Sequence, residues 1–168
     1  CTAPSTVKVL LTEKFSSGSQ TLTFKAFRNE YESAQLILSA ERNVLDYNVT
    51  VNDLTCGDAV LPREQFSVYH EKYIAVSKVY DSLSGCEEGM YPDALLPLDT
   101  AAEYGENQIR KGTNQGIWFT VLIPKEQPAG VYHGSFTLTV DRESVEVPVE
   151  VTVWNFTVSD ETHQKSCY

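Results

Sequence analysis

The sequence predicts an all-β fold: a two-sheet antiparallel β-sandwich of about eight strands, immunoglobulin-like or jelly-roll-like, with one long irregular loop. Three observations predict it. Apolar and polar residues alternate with period two over most of the chain, turn-forming residues separate the alternating stretches, and only residues 100–109 have the pattern of a short helix. A closed barrel is the alternative, because a sequence does not show how many sheets its strands form.

The strands of the first half are predicted from apolar residues that recur at every second position. Each such stretch has one face for a core and one face for water, as antiparallel sheets require. The last of these stretches is the longest and carries Tyr69 and Tyr73 on the face opposite its aliphatic residues. The predicted strands lie at residues 5–11, 22–26, 34–38, 45–51 and 66–77.

Alternation is clearest in the last third of the chain. Pro124 ends one strand because it cannot donate to the ladder, and residues 127–130, reading QPAG, form a tight turn. Pro148 indicates an edge position or a bulge in the final strand. The predicted strands lie at residues 117–123, 132–140 and 145–153.

Between residues 79 and 114 the alternation fails, and this part of the chain is predicted to be the irregular loop. It contains the stretch GMYPDALLPLD at residues 89–99, which is too apolar for a solvated linker. We therefore expect it to pack against a partner and to form an interdomain or ligand-side surface. The residues predicted for that surface are Tyr91, Pro92, Asp93, Leu95 and Leu96.

Composition and charge limit the classes of function. The 168 residues suffice for one domain with a real core, here predicted as residues 1–158, with 159–168 as a linker. The 23 acidic residues outnumber the 13 basic ones, and the net charge of −10 argues against nucleic acid or an anionic membrane surface as partner. No apolar run is long enough to span a bilayer.

The first residue, Cys1, is what a processed bacterial lipoprotein would show, although a trimmed chain would look the same. We therefore expect an extracytoplasmic protein, secreted or at the cell surface, with membrane anchoring only through a lipidated Cys1. A disulfide between Cys56 and Cys86 would close a loop of about thirty residues and add about 3 to 4 kcal/mol of stability. Two free thiols are the alternative. No cysteine and histidine spacing indicates a metal site, and no cofactor is expected.

No catalytic motif is found. The acidic residues of the irregular segment, the scattered histidines and the abundant serines lack the spacing of a known active site. Trp118 and Trp154 are candidates for an exposed aromatic contact, but packing between the sheets is the expectation that we favour for them. The residues weighed as acids or bases are Glu87, Glu88, Asp93, Asp99, His70, His133 and His163.

Several stretches, in their order and spacing, resemble one known family, the N-terminal β-sandwich of glycoside hydrolase family 123 and related bacterial proteins. The resemblance covers most of the chain from about residue 22 onward. Its motifs are RNEYESAQ at 28–35, YPDALLP at 91–97, NQGIWFTV at 114–121, IPKEQPAGVYHG at 123–134 and VPVEVTVWNF at 147–156.

In that family, the resemblance implies, the sandwich precedes a (β/α)8 barrel that carries a catalytic Asp–Glu pair and acts on terminal β-linked N-acetylgalactosamine. No catalytic residue of this chain corresponds to that pair. We therefore expect a non-catalytic accessory domain whose partner is the catalytic barrel of the same polypeptide. The alternatives are a carbohydrate-binding module that engages glycans itself and an immunoglobulin-like adhesion or spacer domain.

Overall fold

The structure, a computed structural model, describes residues 1–77 and 88–161, which form two β-sheets packed face to face. The predicted all-β sandwich is confirmed. The described residues contain eleven strands, numbered here in chain order, rather than about eight. Three of the additional elements are strands of only three residues, which are too short to show an alternating pattern in the sequence.

The first sheet contains five antiparallel strands in the order β1-β3-β9-β7-β8. The last strand, β8, is therefore an edge strand, which suits its prolines because an edge strand can lack ladder donors. The bounds are Thr2–Pro4 for β1, Glu30–Ser39 for β3, Phe66–Val76 for β7, Gly89–Pro97 for β8 and Asn114–Ile123 for β9.

The second sheet has the order β2-β11-β10-β5-β6, and β4 also pairs with β10. The predicted antiparallel pairing holds except between β2 and β11, which run parallel. The bounds are Leu22–Arg28 for β2, Tyr47–Thr50 for β4, Leu54–Cys56 for β5, Ala59–Leu61 for β6, Gly130–Val140 for β10 and Glu143–Thr157 for β11. A 3-10 turn at Arg63–Gln65 and the short helix α1 at Leu98–Glu103 complete the described elements.

The core lies between the sheets and is built from their inward-facing residues. At its centre, the ring of Phe66 meets Phe24 and Phe136 edge to face, with centroids 6.1 and 5.0 Å apart, and Phe119 stacks on Phe136 at 5.5 Å. Such aromatic pairs add about 0.5 to 1.5 kcal/mol each beyond the burial of their area. This cluster fixes the two sheets against each other.

His70 belongs to this core rather than to a catalytic site. It is buried, and its Nδ1 lies 2.6 Å from the hydroxyl of Tyr47, which is buried as well. Burial lowers the pKa of His70, although Glu106 opposes the shift. A neutral imidazole hydrogen-bonded to a buried tyrosine is a satisfied core histidine.

Two local predictions are wrong, and both concern pairing that the sequence does not show. Residues 5–11 are not a strand; the first strand is Thr2–Pro4, which pairs with β3. Part of the predicted irregular loop, Gly89–Pro97, is a strand that pairs with β7, and the short helix lies at Leu98–Glu103. Pro148 stands on β11, which is an internal strand, but β2 pairs with β11 only from Val149 onward, so the backbone at Pro148 has a strand partner on one side only.

The segment after β1 crosses the outer face of the first sheet instead of joining it. The side-chain amide of Gln35 donates to the carbonyls of Pro4 and Val7, both at 2.8 Å, and the hydroxyl of Tyr73 donates to the carbonyl of Val9 at 3.1 Å. Val9 is fully buried there beside Ile37. The part of the outer face that lies under this segment therefore forms a second, smaller hydrophobic cluster.

Candidate functional site

Three aromatic side chains are exposed together on the outer face of the second sheet. Phe27, Trp154 and Phe156, here called the aromatic patch, are 40%, 50% and 58% exposed. Phe27 and Trp154 are register partners in the parallel pair of β2 and β11, and the ring of Phe156 meets that of Phe27 at 5.3 Å and 74°. Exposed aromatic residues in contact with one another are typical of an interaction surface.

The alternation of β11 explains why the patch faces outward. Its odd positions from Val147 to Val153 lie in the core, so Trp154 and Phe156, at even positions, point away from it. On β2 the core residues are Leu22, Phe24 and Ala26, and Phe27 therefore points to the opposite face. Near their C-terminal ends, β2 and β11 therefore carry aromatic side chains on the outer face, where these side chains stay exposed.

The chain leaves the second sheet beside the patch and is held there. Asn29, in the left-handed region with φ 61°, donates from Nδ2 to the carbonyl of Val158 and to Oδ1 of Asp160, both at 2.9 Å. Lys125 forms an ion pair with Asp160, and the hydrogen bonds from Lys125 and Asn29 hold the pKa of Asp160 below its ordinary value. The direction of the chain is thus defined as far as residue 160.

The surface predicted from the sequence, on β8, lies at the other end of the first sheet. Leu95 is the register partner of Glu71, on the outer face, and is 42% exposed, whereas Leu96 pairs with His70 and is half-buried. Pro92 is buried, Tyr91 half-buried and Asp93 exposed. By register, Tyr91 lies about ten positions along the strands from the level of Ile123, which corresponds to about 30 Å. Ile123 lies at the end of the sandwich where β11 terminates, because its carbonyl accepts from the backbone N–H of Asn29, whose side chain holds Val158.

A buried carboxylate also lies on the outer face of the first sheet. Glu71 is 2% exposed, and neither of its carboxylate oxygens accepts a hydrogen bond from any residue that the structure describes. Burial raises the pKa of Glu71 to about 7, and only Lys8 opposes the shift. Glu71 lines a cavity of about 190 Å³, here called the Glu71 cavity, together with Lys8, Gln35, Asp93, Leu95, Trp118, Ser5, Val7 and Pro92.

The two tryptophans do not pack between the sheets, so the expectation of interior packing is wrong for both. Trp118 is half-buried on the outer face of the first sheet, where its Nε1 donates to the hydroxyl of Thr120 at 3.0 Å and its side chain lines the Glu71 cavity. Trp154 is half exposed in the aromatic patch. The N-terminal segment, rather than the second sheet, covers Trp118.

The other candidate residues are not brought together. Glu88, Asp93 and Asp99 are exposed. Among residues 1–77 and 88–161, no group of three potential metal ligands is found, and no helix in this part of the chain is long and apolar enough to cross a membrane. Cys86, Glu87 and His163 lie outside the described residues, so the bridge from Cys56 to Cys86 stays a prediction.

Sequence reasoning missed Glu71, Phe27 and Phe156. A signal for the two aromatics was present, since both stand at outward positions of alternating strands. A signal for Glu71 was weaker: it is a lone acid between Tyr69 and Tyr73 on one strand face. Alternation alone assigns that face to solvent, and only the covering segment makes it interior.

Comparison with known proteins gives a family match over most of the chain. A model of the glycoside hydrolase 123 N-terminal domain matches residues 8–140. A solved family 123 glycoside hydrolase from Clostridium perfringens, studied for glycolipid glycan hydrolysis, is 16% identical with a TM-score of 0.61. The match covers 82% of this chain and 23% of that one. No curated protein matches.

Two further solved structures are only remotely similar. The CooA pilin subunit from enterotoxigenic Escherichia coli is 12% identical with a TM-score of 0.39, over 87% of this chain and 96% of that chain. The C-terminal domain of the Streptococcus pyogenes antigen I/II-family protein AspA is 12% identical with a TM-score of 0.35, over 86% of this chain and 45% of that chain. Neither similarity supports a functional argument.

Proposed function

Since the chain belongs to the family of glycoside hydrolase 123 N-terminal domains, we propose that it is a non-catalytic accessory domain whose aromatic patch packs against the catalytic region of the same polypeptide. The chain spans about a quarter of the length of the family 123 hydrolase that it resembles, 23% of it. A protein of that kind therefore contains much more than this sandwich. By resemblance, the further region is a (β/α)8 barrel acting on β-linked N-acetylgalactosamine.

The single observation that carries this proposal is the position of the aromatic patch. Trp154 and Phe156 belong to the last strand, and the chain that follows is held close by Asn29 and Lys125. A region that continues from this point begins beside three exposed rings. Full burial of such a ring contributes about 1.5 to 3 kcal/mol relative to full exposure, and about half of that remains to be gained here because the rings are already half-buried.

The test compares two double variants in the longer protein and in the isolated domain. Trp154→Ser with Phe156→Ser removes two of the three patch rings, and Tyr91→Ser with Leu95→Ser alters the β8 surface at the far end of the first sheet. In the isolated domain, the free energy of unfolding of the patch variant should lie within about 1 kcal/mol of that of the parent, because the replaced side chains are half exposed. In the longer protein, the patch variant should make the sandwich and the catalytic region unfold in separate transitions, which calorimetry measures.

The β8 variant is the matched control. Should it separate the two regions while the patch variant does not, the docking surface is on β8, as the sequence predicted. Should neither variant change the longer protein, the domain is a spacer that has no stabilising interface.

A carbohydrate-binding module is the second candidate, because the aromatic patch is itself an exposed aromatic surface. Against it, the rings of Phe27 and Phe156 cross at 74° and so present no common flat face for a sugar ring. Titration of the isolated domain with a glycan ending in β-linked N-acetylgalactosamine distinguishes the two, since the accessory role expects no saturable change in tryptophan fluorescence.

A further inference from the structure

We propose that the Glu71 cavity is a recognition site for one guanidinium group, which pairs with the Glu71 carboxylate and stacks on the indole of Trp118. The site is on the first sheet, away from the aromatic patch on the second, and does not depend on the proposed accessory function. The guanidinium belongs either to a small solute or to an arginine side chain of another polypeptide segment.

The Glu71 carboxylate is buried without a hydrogen-bond partner among the described residues. Burying an ionised carboxyl group is costly unless a charge or several hydrogen bonds compensate it. Neither oxygen of Glu71 has a partner among the described residues, although the side chain is only 2% exposed. Two free oxygens on one planar group match the parallel N–H pairs that a guanidinium donates.

Besides Glu71, the lining of the cavity contains one basic and one acidic residue. Lys8, on the covering segment, is the one cation among the lining residues, and its Nζ lies 3.9 Å from the Asp93 carboxylate on β8. Lys8 favours the ionised form of Glu71 only in part, because it is exposed and lies close to Asp93, and burial still raises the pKa of Glu71. Tyr73, the other titratable group that interacts with Glu71 on the same strand, has its pKa raised first by burial and stays neutral.

The wall of the cavity includes an aromatic side chain, that of Trp118. Trp118 is a diagonal neighbour of Glu71 on the sheet, because its register partner is Tyr69. A guanidinium bound to Glu71 would therefore lie near the Trp118 side chain, and an indole ring attracts cations more strongly than other aromatic side chains do. The volume of about 190 Å³ equals that of about six liquid waters, which suits a small planar group.

Entry to the site requires a small movement. The carboxylate is closed to solvent, and Leu95, its register partner, lines the same cavity and is 42% exposed. We expect rotation of the Leu95 side chain, on an edge strand, to open the carboxylate to a guest. No strand hydrogen bond has to break for it.

The test is an NMR titration of the folded domain with methylguanidinium, at pH 8 and millimolar concentration. The indole N–H signal of Trp118 should shift and saturate, while that of Trp154, on the other sheet, stays fixed as an internal control. Methylurea, a neutral molecule of the same shape, should bind at least tenfold more weakly. A short peptide with one central arginine tests the second source of the group.

Glu71→Gln should weaken binding at least tenfold, whereas Lys8→Gln should leave it unchanged or strengthen it, because a competing cation is removed. In the wild-type protein, affinity should fall about tenfold from pH 8 to pH 6, since a carboxyl group with a pKa of about 7 loses most of its charge over that range. This wild-type measurement keeps the test decisive even if Glu71→Gln does not fold.

The proposal is overturned if neither methylguanidinium nor the arginine peptide shifts the Trp118 signal. It is also overturned if Glu71→Gln binds as tightly as wild type, if methylurea binds equally well, or if Lys8→Gln abolishes binding. Binding of the peptide alone assigns the group to a partner polypeptide, and binding of both probes assigns it to a small solute as well.

Discussion

The carboxylate of Glu71 occupies the space directly above Gly116 on the neighbouring strand. A Cβ atom at Gly116 would lie 2.5 Å from Cδ of Glu71 and closer still to Oε2, a separation that real side chains do not show. The glycine is needed because the acidic side chain folds down onto the sheet. Glu71 can therefore be buried in this position because residue 116 has no side chain.

Replacement of Gly116 by alanine should push the carboxylate out toward solvent. Since burial is what raises the pKa of Glu71 to about 7, the pKa in Gly116→Ala should fall toward the ordinary value of 4.5. A carbon-detected NMR titration of the glutamate carboxyls measures it. Gly18→Ala is the control, because no atom lies within 4 Å of a Cβ there, and it should leave the titration unchanged. A pKa still near 7 in Gly116→Ala would contradict this placement of Glu71.

Glu71 should make the protein less stable as the pH rises. Between pH 4.5 and about 7 the folded protein keeps a proton that the unfolded chain releases, so the free energy of unfolding falls through this window and stays low above it. A shift from 4.5 to about 7 corresponds to about 3 kcal/mol. Glu71→Gln should lose this dependence and be more stable than wild type at pH 8.

Denaturant melts at several pH values provide the comparison. His70 contributes a slope of the opposite sign at lower pH, because burial lowers its pKa. Subtracting the curve of Glu71→Gln from that of wild type removes the His70 contribution, since both proteins keep it. Parallel curves for the two proteins would show that Glu71 is paired or solvated in solution.

Leu95 and Leu96 should differ in their effect on the isolated domain. The sequence predicted both to be partly exposed docking residues, but the register with β7 points them to opposite faces. Leu95→Ser, on the outer face, should change the free energy of unfolding by about 0.5 kcal/mol or less. Leu96→Ser, half-buried on the side of His70, should cost about 1 to 2 kcal/mol, below the full cost of a buried leucine. Equal effects in urea melts would mean that the register is different.

The isolated chain should hydrolyse no aryl glycoside, including aryl N-acetylgalactosaminides. Glycosidases use two carboxyl groups in defined positions, and the single buried acid of the described part of this chain, Glu71, is closed to solvent. Release of the aryl group, followed by absorbance, measures turnover. Activity that disappears in Glu71→Gln or Asp93→Asn would refute the non-catalytic assignment.

Local pattern determined the strands that carry most of the core. Alternation placed Ile117, Phe119 and Val121 on one face of β9, and Val147 to Val153 on one face of β11, and these residues are buried as expected. It also put Trp118 and Trp154 on the opposite faces, so the interior packing expected for them ran against the alternation. The period of a strand is a property of the backbone, so adjacent residues suffice to show it.

Pairing with distant strands decided what alternation could not. The segment Gly89–Pro97 has no clear period and two prolines, yet it is a strand because β7 offers it an edge. The parallel pairing of β2 with β11 brings Phe27 beside Trp154, which no local pattern indicates. Hydrogen bonds between strands depend on which edges are free, and the whole chain determines that.

The sequence by itself determined, for the alternating strands, which face each side chain occupies. Only the tertiary structure decided which outer faces are covered. Gln35 holds the segment at Pro4 and Val7 across the first sheet and so encloses Glu71 and Trp118, while Phe27, Trp154 and Phe156 on the second sheet stay exposed. The physical reason is that burial depends on what packs against a face, and the groups that pack there come from distant parts of the chain.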